Sequence, residues 1–577
     1  MRRAGLPHTT RIGDTNRPDR RQFFAAVAAI GIGSEPFARA LFAQAGQASP
    51  SRVTAVMVRE AVQLAGLTYT EAEQLGMVTS LNRILARAEE LHQAPPDNDV
   101  PSPILFNPRV PGFPVVVPQR VHRPAAPSPQ TRPANLDDLA FHSIAQLADL
   151  VRRRAVSSVE LTEMYLRRLE RYNPSLNCVV NLTAERALAH ARELDGELAQ
   201  GMYRGLLHGI PWGVKDIVAA KGAPTTWGAA PFERRVIDED AEVVQRLTRA
   251  GAVLVAKLTT GEFAFGDQWY GGRTNNPWNA AQGSSGSSAG SGAAAAAGLV
   301  GFTIGTDTGG SILSPAVRCG VVGLRPTFGR VSRRGVMAAG WTLDKIGPIC
   351  RTVEDCAIVL HAIAGADGYD LSVADGVPFA WDSRESAQGK VVGVVEGMLK
   401  LEKDPAVRAN NARAIDALRA AGLEIRNVTV PTSDLTYFIE YTERAAGFEA
   451  VVSTGADAGL RSQRVRNDLR AYHLVTAVDY LQANRTRLRL MEHYARATEG
   501  VDVMISGPVT LDPTSLNPIT SLTGHPAVAV PTGFRDNGTP TGFTLAGRLY
   551  DEAGLLVVAR VIEAATGLGQ RRPPLKD

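Results

Sequence analysis

The chain has 577 residues, of which 44% are hydrophobic and 21% are charged, and its formal net charge is +4. This balance is that of an ordinary globular enzyme, and no arginine-rich aromatic patch predicts a nucleic-acid partner. The four cysteines are too few for a disulfide framework. Neither they nor the ten histidines show the spacing of a metal site, so we expect no bound metal.

Residues 1–45 have the features of an export signal of the twin-arginine type. The pair Arg20 and Arg21 is followed by two phenylalanines, an apolar stretch and a small-residue end at Ala45. The apolar stretch is shorter than the roughly 20 residues that span a bilayer. We therefore expect cleavage after Ala45, a periplasmic or extracellular protein, and no stable membrane insertion. A disordered basic tail with an amphipathic helix is the alternative interpretation.

Two segments are predicted between the signal and the main body of the chain. Residues 46–93 have helical character, and Thr70 with Glu73 forms the capping-box pattern that opens a second helix. Residues 94–135 hold twelve of the 35 prolines. That density excludes a packed helix or a central strand, so we expect an extended connector lying along the catalytic body.

Residues 136–577 are predicted to form one catalytic domain of the α/β class. Ser157 and Glu160 open a long amphipathic helix. Apolar strand candidates then recur between helices, at Gly251–Leu258, Lys390–Gly397 and 527–534. Helices that alternate with buried strands predict a sheet covered by helices.

Three segments of this domain carry groups that suit a serine hydrolase with a lysine base. Ser311 directly follows two glycines, Lys215 lies in the segment GIPWGVKD, and residues 282–292 read QGSSGSSAGSG. Taken singly, the Gly/Ser run is typical of a flexible linker and the lysine of a solvated surface. The run leads directly into AAAAAGLV, a helix-forming apolar segment, which favours a turn between core elements.

A serine hydroxyl is a weak nucleophile, so a serine hydrolase needs a base that activates it. A serine hydroxyl attacks only when a base takes its proton, and a lysine serves as that base only when its pKa is lowered. The mostly apolar sequence around Lys215 predicts this lowering. The oxyanion formed on attack needs preorganised donors. We expect these to be the backbone amides of Thr308, Gly309, Gly310 and Ser311.

From about Ser143 to about Gly567 the chain resembles the amidase signature family. The resemblance covers both Gly/Ser-rich runs and GIPWGVKD, and it extends to the segments Thr274–Asn279, Leu343–Gly365 and Ser521–Phe534. It implies a large mixed β-sheet with helices on both faces. It also implies a catalytic triad of Ser311 as nucleophile, Ser287 as the cis-peptide serine that relays protons, and Lys215 as base, with the two serines 24 residues apart.

The implied activity is hydrolysis of a carboxamide C–N bond in a small-molecule amide, through an acyl-enzyme on Ser311 and without a cofactor. Two alternatives remain. One is the glutamine-hydrolysing A-type subunit of a tRNA-dependent amidotransferase, against which the export signal argues. The other is a catalytically silent binding protein of the same fold, against which the intact triad argues. The oligomeric state is open, a homodimer included.

Aromatic residues near the expected pocket favour an apolar or aryl amide, although core packing is the commoner role of each one singly. The predicted substrate contacts are Trp269, Tyr270, Trp341 and Tyr441, with Tyr437 and Phe438 nearby.

The nucleophile segment departs from the family pattern at two positions. Leu313 stands where the family usually has an arginine, and Arg318 stands where it usually has an aromatic residue. A buried carboxylate without a partner is costly. We therefore predict that Asp307 pairs with Arg318. The alternative is that backbone amides satisfy Asp307 and that Arg318 points to solvent or to a subunit surface.

Overall fold

The computed structural model describes residues 52–575 except 93–97, 99, 101–103, 396–401, 434 and 507–514. The predicted export signal lies outside the described residues. Contacts divide the chain into two compact units, one ending at Pro95 and the other beginning at Pro96. No helix in the described part of the chain is long and apolar enough to cross a membrane.

The first unit contains the two predicted helices, α1 (Ala55–Leu64) and α2 (Glu71–His92). The predicted capping box is confirmed at the start of α2. The Glu73 N–H donates to Thr70 Oγ1 at 3.3 Å, and the Thr70 N–H donates to Glu73 Oε2 at 2.7 Å.

The second unit begins with the proline-rich connector. Its described residues, 98, 100 and 104–135, form neither a helix nor a regular strand. Arg120 makes ion pairs with Glu385 at 2.5 Å and with Asp551 at 2.8 Å. The Arg123 N–H donates to the carbonyl of Trp381 at 2.6 Å. The connector therefore lies along the body of the second unit, as its composition predicts.

Fifteen strands follow in the described chain: β1 (Val179–Leu182), β2 (Pro211–Lys215), β3 (Val253–Leu258), β4 (Gln268–Trp269), β5 (Gly272–Arg273), β6 (Asn275–Asn276), β7 (Asn279–Gly283), β8 (Phe302–Asp307), β9 (Val322–Arg325), β10 (Lys345–Cys350), β11 (Val391–Val395), β12 (Glu424–Val428), β13 (Val503–Ser506), β14 (Ala527–Phe534) and β15 (Pro540–Gly547). Eleven of them form one sheet in the order β1-β3-β2-β8-β10-β9-β14-β15-β13-β11-β12. The pairs β3/β2, β2/β8, β13/β11 and β11/β12 are parallel and the others antiparallel, so the sheet is mixed.

The α-helices described in the second unit are α3 (Ile144–Arg152), α4 (Ser158–Leu176), α5 (Ala184–Ala199), α6 (Glu242–Arg249), α7 (Ala289–Ala296), α8 (Leu313–Cys319), α9 (Val353–Ile363), α10 (Pro405–Ala420), α11 (Leu435–Gly447), α12 (Glu449–Ser453), α13 (Gln463–Ala471), α14 (Ala477–Ala497), α15 (Leu516–Leu522) and α16 (Glu552–Thr566). The capping box at Ser157 and Glu160 is present, as predicted.

Helices cover both faces of the sheet, as the resemblance implies. Successive residues of a strand point to opposite faces. In β3, Leu254 packs in a cluster with α3 and α9, whereas Val253 and Val255 pack in a second cluster with α4 and α7. The fold is therefore of the α/β class, with a large mixed sheet between two layers of helices.

The sheet order brings the predicted catalytic segments together. Strands β2 and β8 are parallel neighbours, and they end at Lys215 and Asp307. The carboxyl ends of parallel strands lie at the same edge of a sheet. The nucleophile loop, residues 308–312, therefore begins next to Lys215.

Candidate active site

Lys215 is fully buried at the end of β2. Its Nζ is hydrogen-bonded to Ser287 Oγ at 2.7 Å and to Thr306 Oγ1 at 2.8 Å. Burial lowers the pKa of Lys215 to about 7, although the carboxylates of Asp307 and Asp344 act in the opposite direction. A large fraction of Lys215 is therefore neutral near pH 7 and can accept a proton from Ser287.

The Gly/Ser-rich run forms a buried turn rather than a linker. The peptide bond between Gly286 and Ser287 is cis, as the resemblance implies. Ser288 Oγ donates to the carbonyl of Thr306 at 3.1 Å, and Ser291 Oγ donates to the carbonyl of Ile304 at 3.1 Å. These bonds fasten the turn and the start of α7 to β8, which places Ser287 against Lys215.

Ser311 lies on the second loop, and both loops line one cavity. The Ser288 N–H donates to the Ser311 carbonyl at 3.1 Å, which joins the two loops directly. Ser311 is half-buried, whereas Ser287 is buried. Ser287 and Ser311 therefore line the same cavity, and Ser287 is hydrogen-bonded to the buried Lys215 behind it.

The carboxylate of Asp307 accepts hydrogen bonds from backbone amides of the nucleophile loop. It accepts from the amides of Gly310 and Ile312, each at 2.8 Å. The N–H of Gly310 is thereby engaged with a carboxylate. The predicted oxyanion donors that are left for a substrate are the amides of Thr308, Gly309 and Ser311.

The predicted ion pair between Asp307 and Arg318 is wrong. Asp307 Oδ1 lies 3.3 Å from Arg325 Nη1, and both side chains are fully buried. Arg318 Nε instead donates to the carbonyl of Gly283 at 3.4 Å. Arg325 ends β9, which lies two positions from β8 in the sheet, so a cation farther along the chain is nearer in space.

The surroundings of Asp307 keep it ionised. Burial alone would raise its pKa, but Arg325, Lys345 and the amide hydrogen bonds outweigh burial, and the pKa lies below its ordinary value. Backbone amides therefore do contribute, as the alternative interpretation of the sequence expects, and a buried arginine adds to them.

A further residue of the site, Asn517 of α15, is not predicted by the sequence. Its Nδ2 donates to the carbonyl of Gly309 at 2.6 Å, and its Oδ1 accepts from Arg325 Nη1 at 2.9 Å. Asn517 also lines the cavity. Gly309 and Asn517 are 208 positions apart, and no spacing or motif connects them.

The cavity in front of the two loops has a volume of about 850 Å³, a size that suits a small-molecule ligand. Its floor is formed by Gly286, Ser287 and residues 309–311. Its wall mixes aromatic and charged side chains, which are Phe265, Tyr437, Tyr441, Glu262, Asp267, Glu440, Arg461, Arg464 and Asp468.

Only part of the predicted aromatic set faces this cavity. Tyr441 lies on its wall and stacks on Phe265 with 5.5 Å between ring centroids, and Tyr437 lies beside it. Trp269, Tyr270 and Trp341 are not among the described residues that line it.

The geometry gives the other aromatic side chains different surroundings. Trp269 is buried and packs edge-on against Tyr270 at 4.7 Å. Trp341 borders a separate cavity of about 60 Å³. Phe438 contacts Tyr472 edge-on at 6.5 Å. A substrate role for Trp269, Tyr270 and Trp341 is therefore not supported, because sequence proximity to the loops does not fix where a side chain points.

The buried lysine, the cis serine and the serine after two glycines define a hydrolase that acts on carbon–nitrogen bonds. The family model named Amidase matches residues 160–556, and the chain belongs to this family. The A-type subunit of the glutamyl-tRNA(Gln) amidotransferase of Methylococcus capsulatus is 36% identical over 478 residues, covering 75% of this chain and 98% of the relative. The corresponding protein of Geotalea daltonii is 36% identical over 485 residues, covering 75% and 99%.

Solved structures of amide hydrolases share the fold. The native peptide amidase from Stenotrophomonas maltophilia superposes with a TM-score of 0.67 at 29% identity, covering 76% of this chain and all of that chain. The 6-aminohexanoate cyclic dimer hydrolase complexed with substrate superposes with a TM-score of 0.68 at 25% identity, with the same coverage.

Proposed function

We propose that this protein hydrolyses a carboxamide through an acyl-enzyme on Ser311. The observation that carries the proposal is the 2.7 Å contact between the buried Lys215 Nζ and Ser287 Oγ, beside the loop that bears Ser311. A neutral lysine in contact with a serine hydroxyl is an activated base. Its partner in the reaction is a serine positioned after a glycine pair, whose neighbouring amides suit an oxyanion.

In the acylation step, neutral Lys215 takes the proton of Ser287, and Ser287 takes the proton of Ser311. The Ser311 Oγ then bonds to the carbonyl carbon, and the resulting oxyanion is held by backbone amides of the loop. The C–N bond breaks as the proton returns through Ser287 to the leaving nitrogen. The products of this step are a free amine, or ammonia, and an ester on Ser311.

In the deacylation step, water attacks the ester carbonyl and gives its proton to the same relay. The bond between the acyl carbon and Ser311 Oγ breaks, the serine regains a proton, and a carboxylic acid leaves. The reaction consumes one water and needs no electron transfer.

A fluorophosphonate probe tests the proposal without knowledge of the substrate. We expect a covalent adduct on Ser311, identified by mass spectrometry of the digested protein, and no adduct on Ser311→Ala. Hydrolysis of aryl, aliphatic and peptide amides by the same samples then defines the acyl group. An adduct on another residue overturns the assignment, and an unreactive protein supports the silent binding protein instead.

A second candidate is the glutamine-hydrolysing A-type subunit of a tRNA-dependent amidotransferase. The curated relatives favour it over a free-standing amidase, because they carry that name at 36% identity over nearly their whole length. The chemistry at Ser311 is the same. The two candidates differ in the acyl group and in whether the released ammonia passes to an acceptor.

Complementation separates the two candidates. If the second is correct, the chain without residues 1–45 restores growth to a bacterium that depends on its own A-type subunit, and Ser311→Ala does not. If the first is correct, the chain hydrolyses amides alone and does not complement. Release of ammonia from glutamine by the isolated chain is measured in parallel.

We also propose that the chain is exported by the twin-arginine route, which separates it from cytosolic aminoacylated tRNA. Replacing Arg20 and Arg21 with lysines should retain the precursor in the cytoplasm, because the route reads the arginine pair as an address. Fractionation and immunoblotting of the two forms measure this. Unchanged export of the double variant would show that the pair is incidental.

A further inference from the structure

We propose that Asn517 is a positioning residue that fixes the Gly309–Gly310 peptide and thereby directs the oxyanion donors of the nucleophile loop. The inference rests on the proposed function, because the oxyanion exists only if Ser311 attacks a carbonyl. Asn517 does not touch the reacting atoms. It acts through the backbone of the loop.

The Gly309–Gly310 peptide is held at both of its polar ends. Its carbonyl oxygen accepts from Asn517 Nδ2 at 2.6 Å, and its N–H donates to Asp307 Oδ1 at 2.8 Å. A peptide unit is planar, with its carbonyl and its N–H on opposite sides. Two opposed hydrogen bonds therefore fix the rotation of the unit about the chain axis.

The fixed peptide lies between two of the remaining oxyanion donors. The N–H of Gly309 precedes it and the N–H of Ser311 follows it, and Gly309, Gly310 and Ser311 all line the cavity. Rotation of the central peptide changes the torsion angles on either side, so it turns these flanking amides as well. Asn517 therefore influences the donors that a substrate oxyanion would meet.

The loop needs a restraint from outside, because its own sequence does little to limit its backbone conformation. Glycine populates many backbone conformations, and Gly310 has φ +123°, a value that residues with side chains rarely adopt. Two adjacent glycines allow the backbone to approach a substrate closely. They also leave the peptide between them free to rotate unless it is hydrogen-bonded.

The orientation of the Asn517 amide follows from its other neighbour. A guanidinium group can only donate hydrogen bonds, so the Asn517 atom that faces Arg325 Nη1 at 2.9 Å must be the oxygen. The NH₂ group then faces the Gly309 carbonyl. Arg325 also pairs with Asp307 at 3.3 Å, so one buried arginine supports both ends of the fixed peptide.

Asn517→Asp is the sharpest test, because it keeps the shape of the side chain and replaces the donor with an acceptor that repels the Gly309 carbonyl. We expect the rate of fluorophosphonate labelling of Ser311 to fall about 10- to 100-fold, since losing a single oxyanion donor costs about a hundredfold or more. With an amide substrate, kcat should fall and KM should change little. Asn517→Ala is measured alongside for the pH profile, and its midpoint should stay in place because it adds no charge. Asn517→Asp adds a carboxylate beside Arg325, and nearby carboxylates raise the pKa of Lys215.

Thr523→Val is the matched control at the end of the same helix. Thr523 is buried and hydrogen-bonds the carbonyl of Ile519 and the ring of His525, and it makes neither of the two bonds that hold the Gly309–Gly310 peptide. We expect its labelling rate to stay close to that of wild type, because the oxyanion donors are undisturbed. If Asn517→Asp does not yield folded protein by thermal melting, Asn517→Ala replaces it, because alanine adds no buried charge.

The outcomes separate this inference from the proposed function. No labelling of wild-type Ser311 overturns the proposed function. Labelled wild type with Asn517→Asp at the wild-type rate overturns the inference alone. Equal slowing of Asn517→Asp and Thr523→Val also overturns it, because the effect would then belong to the helix as a whole. Slowing confined to the Asn517 variants, with the pH midpoint of Asn517→Ala unmoved, supports it.

Discussion

Two buried lysines lie on neighbouring strands of the sheet, and they differ in the groups that their amines contact. Lys257 on β3 is 3.0 Å from Asp216 Oδ1 and also donates to Thr225 Oγ1 at 2.8 Å. Lys215 on β2 is equally buried, but its hydrogen bonds go to the hydroxyls of Ser287 and Thr306.

The difference distinguishes the proposed catalytic base, Lys215, from a lysine held in a buried ion pair. A carboxylate at contact distance favours the charged amine, and a buried ion pair of this kind is strongly destabilised when one partner is removed. Hydroxyl groups compensate a buried charge less well, so the amine gives up its proton near pH 7 and becomes a base. Burial lowers the pKa of both lysines, but only Lys257 has a carboxylate at contact distance, which opposes that lowering.

The largest expected effect is on the activity of Lys215→Met. Removing the base should lower kcat by about 10³- to 10⁴-fold, the upper range for general base catalysis. The melting temperature should fall less than for a lysine held in a buried ion pair, because no carboxylate at contact distance loses its partner. Fluorophosphonate labelling and amide hydrolysis measure the first effect. A retained rate above a tenth of wild type would remove Lys215 from the mechanism.

Lys257→Met should show the opposite pattern. Removing this lysine leaves Asp216 buried and unpaired, which costs about 3–5 kcal/mol of unfolding free energy. Denaturant unfolding measures the loss, and activity per folded molecule should stay within a fewfold of wild type. The double variant with Asp216→Asn should regain most of the stability. If it does not, the carboxylate is not the cause of the loss.

Ser287→Ala tests whether the hydroxyl that contacts Lys215 relays the proton. We expect kcat to fall about 100-fold, less than for Lys215→Met, because a water molecule can occupy the place of the lost hydroxyl and carry the proton. In the Lys215→Met background the same change should add little, since residues that act as a unit are not additive. Additive losses would show that Ser287 does not act through Lys215.

The pH dependence of kcat/KM is expected to show the most gradual effect. Because burial lowers the pKa of Lys215 to about 7 and the neutral amine is active, kcat/KM should rise with pH and level off above about 8. Below the midpoint it should fall about tenfold per pH unit. A flat profile from about pH 5 to about pH 9 would exclude a lysine base.

A second lysine must be separated from the first in that profile. Burial also lowers the pKa of Lys345 to about 7, and Lys345 stands opposite Asp307 in the register of β10 and β8. The variant Lys345→Met should leave the midpoint unmoved, although Asp307 loses a neighbouring cation. A lost or shifted limb in this variant would assign the titration to Lys345.

The three proposed catalytic residues lie in segments that stand out in the sequence, and the resemblance to the amidase signature family selects Ser287 among the serines of the Gly/Ser-rich run. Lys215 ends an apolar strand, Ser287 lies in a glycine-rich turn before a helix, and Ser311 follows a glycine pair. The capping boxes and the main strands are also recognisable, since hydrogen bonds between near neighbours and apolar runs determine them.

Two contacts of the site could not be predicted correctly from the sequence. Both depend on how distant elements pack together. The nearest cation to Asp307 in the sequence is Arg318, but β9 returns beside β10 and presents Arg325 instead. Asn517 approaches the loop from 208 positions away. Partners of this kind follow from how elements pack, which no local pattern in the chain encodes.

The floor and the wall of the cavity come from different structural elements, and this bears on how substrate selectivity could be changed. The floor comes from the turn before α7 and the loop after β8, whereas Tyr437, Tyr441 and Arg464 on the wall come from α11 and α13. Glu443 of α11 faces away and accepts from the Thr342 hydroxyl at 2.6 Å, so it should be kept. Randomising the three wall positions would give a library of enzymes with new acyl preferences and an unaltered proton relay.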